Sequence, residues 1–276
     1  TTPYTFFATA SSIALVGAKH VFVDIEPEFM NIDPNAIEKA ITEKTKAIVI
    51  VHLFGKVCDM DTIMTIARRH NLPLVEDMAQ SLGAQQKGVM CGAFGDIAAI
   101  SFYPTKNLGG IGEGGMVLSQ RDDLGQKARK LLVHGMGSVP YHHEMIGINS
   151  RLDEIKSAAL VAKFPFLEEW NTKRMANARY YTEKLSALPL RLPPVSDDGS
   201  HIFHQYVMRT KRRDELQAFL RAQGIQTGVY YPVPLHLQPC FSHFGYSEGS
   251  CPVAEESART SLAIPVYPEL TKKEKD

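Results

Sequence analysis

The sequence predicts an α/β fold, a mostly parallel sheet in a large domain followed by a smaller C-terminal α+β domain. Three observations predict it. Short apolar runs alternate with helix-period segments through the first half of the chain, the pattern of βαβ units. Two of those runs end on chemically capable side chains, Asp77 and Lys106, and open α/β sheets bind ligands at the carboxyl ends of their strands. After a proline-rich break, Leu188-Pro189-Leu190-Arg191-Leu192-Pro193-Pro194, a strand at 205–209, a helix at 214–223 and a strand at 226–231 form the smaller part.

The elements follow in order. β-rich runs occur at 13–23 and 46–54. Between them, 33–41 reads as a helix with Asp33 at the N-cap and Pro34 at the first helical position, where a missing N–H costs nothing. Residues 59–70 read as a helix with Met60, Ile63, Met64 and Ala67 on one face. Strands follow at 74–76, 97–102 and 116–118, then a helix at 124–134. Residues 135–150 are a polar, glycine-rich loop, and 151–188 a long helical stretch weakened at Pro165. Thr271 and Glu274 have the spacing of a capping box. The chain therefore divides into residues 1–150, part of a large domain, a connecting helical region at 151–190, and a small domain at 191–276. It contains no internal repeat and no low-complexity segment.

Bulk properties narrow the function. The 276 residues include 30 basic and 30 acidic side chains, so no charge excess marks a nucleic-acid or membrane-surface binder. No apolar run approaches the roughly 18 residues of a membrane span. The four cysteines, at 58, 91, 240 and 251, have neither CxxC nor metal-ligand spacing and read as reduced thiols of a cytoplasmic protein. His142-His143 has no further ligand at metal spacing, so no metal is expected.

The chemistry centres on Ser101-Phe102-Tyr103-Pro104-Thr105-Lys106-Asn107-Leu108-Gly109-Gly110. Lysine is the side chain that forms Schiff bases with carbonyl cofactors, and a strand end gives it a rigid base. Ser101 stands five residues before it, within reach of a cofactor phosphate, and the glycines allow close backbone approach. Upstream, Leu74-Val75-Glu76-Asp77 delivers a carboxylate at a strand end. Pyridoxal 5'-phosphate (PLP) needs such a carboxylate beside its pyridine nitrogen to act as an electron sink. A strand-end Asp followed 29 residues later by a strand-end Lys is the arrangement of fold-type I PLP enzymes. The glycines at 110, 112, 114 and 115 lack the GxGxxG spacing of a dinucleotide fold.

With these residues the chain resembles the DegT/StrS-type aminotransferases, PLP enzymes that aminate nucleotide-linked keto-sugars. The matching segments, in family order, are Thr2-Pro3-Tyr4-Thr5-Phe6-Phe7-Ala8-Thr9-Ala10, Val21-Phe22-Val23-Asp24-Ile25, Asn31-Ile32-Asp33-Pro34, and Val51-His52-Leu53-Phe54-Gly55. They continue with Glu76-Asp77-Met78-Ala79-Gln80, the Ser101 to Gly109 stretch, Gly147-Ile148-Asn149-Ser150-Arg151-Leu152-Asp153-Glu154 and Pro234-Leu235-His236-Leu237-Gln238. Relative to that family, an N-terminal segment with a Gly-Thr phosphate contact is expected to precede Thr1, and a final helix to continue past Asp276.

The resemblance implies a fold-type I aminotransferase and a role for each residue. Lys106 would hold PLP and later move the substrate proton. Asp77 would face the pyridine nitrogen, Gln80 the ring hydroxyl from one side of a starting helix, Ser101 the phosphate and Phe6 the ring face. Asn149 would cross a homodimer interface to the partner's phosphate. Tyr103, Tyr141, His142, Arg151 and His236 are weaker candidates for substrate contact. Glutamate would donate the amine, and a nucleotide-linked keto-hexose would receive it, for an amino sugar of a surface polysaccharide or a glycosylated natural product. Each residue also has a plain structural reading: Asp77 a helix N-cap, Gln80 a helix-surface residue, Phe6 a core aromatic, Asn149 a turn residue, His236 a buried structural histidine, Asp24 a carboxylate bonded only to backbone. The competing functions are a PLP-dependent sugar dehydratase, which carries His where this chain has Lys106, PLP-dependent desulfuration, for which no cysteine stands in a nucleophilic loop, and a non-catalytic regulatory relative.

Overall fold

The computed structural model describes residues 1–276. Helix α1 (Phe7–Leu15) opens the chain and corrects the strand expected from residue 13. Ile13, Ala14 and Leu15 complete a helix that the small buried residues Thr9 and Ala10 let sit close to the protein. Packing has overridden the β-preference of one branched residue. The chain beyond it is irregular, apart from a bridge between Ile25 and Ile32. Helix α2 (Pro34–Ala40) begins as its sequence predicts, the Asp33 side chain accepting from the Asn35 N–H. Strand β1 (Ile48–Val51) leads to α3 (Met60–Arg69), capped by Asp59, with Met60, Ile63, Ile66 and Ala67 buried.

Strand β2 (Leu74–Asp77) is followed by a small hairpin, β3 (Gln85–Gln86) and β4 (Val89–Met90), which has no clear sequence signal. Strands β5 (Ile97–Ser101) and β6 (Gly115–Leu118) and helix α4 (Asp122–Leu132) complete this half. The sheet order is β1-β2-β5-β6. The first three strands are parallel and only β6 is antiparallel, so the mostly parallel sheet is as expected. The register sets Val51 beside Asp77 and Asp77 beside Ala99, which brings three strand ends to one edge. A core of 22 buried residues, including Ile50, Ile63, Leu74 and Ala98, fills the space between sheet and helices.

The helical stretch is two helices, α5 (Glu154–Lys163) and α6 (Leu167–Leu185), joined by a 3-10 turn (Phe164–Phe166) at Pro165. Next come β7 (Tyr206–Arg209), α7 (Arg213–Ala222), α8 (Pro252–Thr260), β8 (Ser261–Ile264) and α9 (Lys272–Lys275). The strand expected at 226–231 is a second correction. That segment contributes one bridge, Gly228 to Ala263, and the antiparallel partner of β7 is β8. Tyr4 holds the end of the segment away from the ladder: its hydroxyl donates to the Tyr230 carbonyl and accepts from the Tyr231 N–H. The Thr271 and Glu274 capping box forms as its spacing predicts.

A second core of 15 buried residues joins Tyr4, Phe22, Ile25 and Phe54 to Val207, Leu235, Phe241 and Ala263, so the two ends of the chain pack together. Asp24 helps to bind them. Its carboxylate accepts from the Val253 and Ala254 N–H groups, each at 2.9 Å, and it bonds to backbone alone. No cysteine is paired, and no helix is long and apolar enough to cross a membrane.

Candidate active site

The carboxyl ends of β1, β2 and β5 release three loops to one side of the sheet, where α1 and residues 230–231 meet them. Asp77 ends β2. Its Oδ1 accepts from the Ala79 N–H at 3.1 Å and its Oδ2 from the Thr9 hydroxyl at 2.7 Å. No helix starts there: the chain after Met78 forms turns, which corrects the helix face expected for Gln80. The turns bury Gln80 and fix both ends of its amide. Oε1 accepts from the Phe54 N–H at 2.6 Å, so Nε2 is the end that donates to the Tyr231 hydroxyl, at 3.1 Å. Phe54 takes a left-handed φ of 56° inside the 3-10 turn Leu53–Gly55.

One residue before Asp77, Glu76 is wholly buried and anchors the strand. It accepts from the N–H groups of Gly92, Phe94 and Gly95 and from His52. Cys58 N–H donates to His52 Nδ1, so the proton that reaches Glu76 is on Nε2. Burial alone would raise the Glu76 carboxyl; the hydrogen bonds from His52 and the backbone reverse this and hold it below its ordinary value.

Lys106 lies in the turn that follows β5. Its N–H donates to the Tyr103 carbonyl, and the Gly110 N–H returns to the Phe102 carbonyl. The loop closes so tightly that a Cβ on Gly109 would meet the Pro104 carbonyl oxygen at 2.1 Å. The Lys106 amine has no hydrogen-bond or ion-pair partner. Burial lowers its pKa, and the nearby Asp77 carboxylate opposes that effect only in part. Behind it, Asn107 is buried in a chain of amides. Asn171 Nδ2 donates to the Leu82 carbonyl, Asn107 Nδ2 donates to Asn171 Oδ1, and Asn107 Oδ1 therefore accepts from His204 Nδ1 at 2.9 Å. Burial, with Lys106 and Arg174 nearby, pushes the His204 pKa well below its ordinary value, so this histidine is neutral.

The remaining expected residues divide. Phe6 precedes α1 as its N-cap, 59% exposed, its ring 6.2 Å from that of Tyr231. Ser101 ends β5, its hydroxyl accepting from the Tyr103 N–H at 3.2 Å, and Tyr103 is exposed on the same loop. Tyr141, His142, Asn149 and Arg151 are all exposed, in the long loop or just after it. Asn149 Oδ1 accepts from Arg151. His236 is a correction. It is 1% exposed, bonded through Nε2 to Glu255 at 3.0 Å within the second core, and cannot meet a substrate there. The sequence reading gave no role to Thr9, Asn107, His204 or Tyr231. Thr9 and Asn107 lie inside segments that carry the family resemblance; His204 and Tyr231 have no local signal.

An unpartnered, half-buried amine beside a carboxylate with spare lone pairs fits a pyridine-ring aldehyde such as PLP. A lowered lysine pKa means that the neutral, nucleophilic amine exists at lower pH than on a free lysine. Capture of PLP, followed by absorbance, is therefore expected to rise with pH through a midpoint below the ordinary 10.5. A midpoint at or above that value would refute the burial account.

A family model described as the DegT/DnrJ/EryC1/StrS aminotransferase family matches residues 1–276. The chain is 52% identical over 273 residues to a pleiotropic regulatory protein of Geobacillus stearothermophilus, covering 98% of this chain and 73% of that one. It is 44% identical over 267 residues to a UDP-N-acetyl-3-dehydro-alpha-D-glucosamine 3-aminotransferase of Acidithiobacillus ferrooxidans, covering 97% and 72% respectively. The crystal structure of DesV from S. venezuelae, in complex with a ketimine intermediate, matches with a TM-score of 0.96 at 40% identity, over 100% of this chain and 74% of that chain.

Proposed function

The chain belongs to the DegT/DnrJ/EryC1/StrS aminotransferase family, and from that premise we propose that it moves the amino group of glutamate to a nucleotide-linked keto-hexose. The product would be an amino sugar for a surface polysaccharide or a glycosylated natural product, made in the cytoplasm. PLP is the cofactor, and when bound it supplies the electron sink for amine transfer. The observation that carries the reading is the Lys106 amine, free of partners, at the strand edge beside Asp77.

The residues divide the work. Lys106 Nζ would hold the cofactor and would take and return the substrate proton, for which it must be neutral. Asp77 balances charge at the ring nitrogen. Gln80 keeps one N–H beyond its bond to Tyr231 and offers it to the ring hydroxyl. Ser101 serves the phosphate, and Phe6 covers the ring. Tyr103, Tyr141, His142 and Arg151 are offered to the sugar nucleotide. The residues at 1–150, 151–190 and 191–276 form the large part, the connector and the small part of this machine.

Asn149 is assigned to the partner's site in a homodimer. The surface around it supports this assignment, since Tyr141, Ile146, Ile148, Ile155 and Val161 are each at least 66% exposed, an apolar surface that marks an interaction face. Lys106 favours transamination over dehydration.

The test supplies PLP, glutamate and a panel of 3-keto and 4-keto sugars on UDP or dTDP, and measures 2-oxoglutarate and the amino sugar. One pair is expected to turn over. A colourless protein that turns over none would favour the regulatory reading. Subunit exchange between Lys106→Ala and Asn149→Ala chains tests the shared site. The mixed dimer has one doubly defective site and one intact site, so activity should exceed either parent. A monomer in solution would exclude sharing.

A further inference from the structure

We propose that Thr9, backed by Thr5, is a positioning residue that aims the Asp77 carboxylate at the cofactor's ring nitrogen. The proposal rests on the reading of Asp77 given above. Thr9 Oγ1 lies 2.7 Å from Asp77 Oδ2. A carboxylate oxygen can only accept, so the hydroxyl proton belongs to Thr9 and points at Asp77. The Thr9 oxygen then has lone pairs for its other neighbour, Thr5 Oγ1 at 3.2 Å, and Thr5 must be the donor in that contact. The direction of the relay, Thr5 to Thr9 to Asp77, is fixed by this one constraint. Both threonines are buried, at 2% and 5% exposure, where an unpaired hydroxyl would be costly.

The hydroxyl of Thr9 had another choice. Ser, Thr and their relatives in a helix readily bond back to a carbonyl one turn earlier. On the same helix, Ser11 donates to the Ala8 carbonyl and Ser12 to the Thr9 carbonyl. Thr9 alone of the three reaches across to the sheet, and β-branching limits the rotamers from which it can turn away.

The consequence is geometric. The Ala79 N–H holds Oδ1 from within the same turn, and Thr9 holds Oδ2 from α1. Two contacts from different elements fix the plane of the carboxylate, where one would leave it free to rotate. Phe6 is the N-cap of that same helix, between Thr5 and Thr9 in sequence. One element thus carries the ring-face residue and orients the ring-nitrogen carboxylate, so the two stay in register.

The experiment uses PLP labelled with ¹⁵N in the ring, and reads its chemical shift and its dissociation constant for each variant. Thr9→Val should weaken PLP about tenfold or more, as befits a lost hydrogen bond to a charged group. It should also move the ring ¹⁵N signal toward the unprotonated value. Thr9→Ser should restore both, and Thr5→Val should shift both in the same direction by less. In an Asp77→Asn background, Thr9→Val should add nothing, because the relay acts only through that carboxylate. If Thr9→Val proves insoluble, Thr9→Ala removes the same hydroxyl in a residue that suits a helix. Wild-type affinity and an unmoved ¹⁵N signal in the hydroxyl-free variant, with both altered in Asp77→Asn, would overturn the relay and leave the reading of Asp77 standing. An additive loss on top of Asp77→Asn would overturn it too, as a purely structural effect. An Asp77→Asn chain with unchanged ¹⁵N shift and affinity would instead reject the reading of Asp77 itself.

Discussion

Lys106→Ala is expected to abolish steady-state transamination while leaving the fold intact. On the proposed reading the amine has two tasks, binding the cofactor and moving the substrate proton, and one residue supplies both. His204, whose pKa burial and the nearby Lys106 and Arg174 push well below its ordinary value, has its Nδ1 proton committed to Asn107. The loss should exceed the roughly 10²- to 10⁴-fold that removal of a general base alone produces. Nothing in the fold depends on the amine, which has no partner, and the turn around it is closed by backbone bonds from Lys106 to Tyr103 and from Gly110 to Phe102. Circular dichroism should therefore be unchanged. Added methylamine should return part of the proton-transfer function but none of the covalent attachment. Residual turnover above roughly a few per cent of wild type would place the catalytic lysine elsewhere.

What the sequence made visible is local. The Asp33 cap, the Thr271 capping box and the strand end at Asp77 depend on residues a few positions apart, and the structure contains each of them, whereas Lys106 lies in the turn five residues beyond the end of β5. What it concealed depends on distant partners. Ile13 reads as a strand former, but its neighbours' small side chains let a helix dock there. Gln80 reads as one side of a helix, whereas its amide is fixed by Phe54, 26 residues before it, and Tyr231, 151 residues after it. His236 sits in a segment that resembles the family, and its burial against Glu255 appears only when α8 is in place. Strand β8 has no turn signal in front of it, because α8 runs directly into it. The relay from Thr5 and Thr9 needed the placement of α1 against β2, across 68 residues.

Asp77→Asn should produce the second large effect, and of a different kind. Asparagine keeps the size of the side chain. Its carbonyl can still accept from the Ala79 N–H, so the turn that follows β2 stays closed, while the contact to Thr9 as a carboxylate acceptor is gone. What it loses is the negative charge. A neutral amide cannot stabilise a protonated pyridine as a carboxylate does, and a charge-assisted hydrogen bond is about twice as strong as a neutral one. Cofactor should still attach through Lys106, with a shifted absorption spectrum. Turnover should fall by on the order of 10²-fold or more, the size seen when one preorganised electrostatic partner of a transition state is removed. The charge change also acts on the lysine. Asp77 is the carboxylate that opposes the burial effect on Lys106, so its neutralisation should lower the Lys106 pKa further. The pH midpoint for PLP capture should then move down relative to wild type, even as turnover collapses. That pairing separates an electrostatic role from a structural one, since a misfolded site would lose both attachment and turnover. Near-normal turnover with an unshifted spectrum would reduce Asp77 to an acceptor for the turn that follows β2.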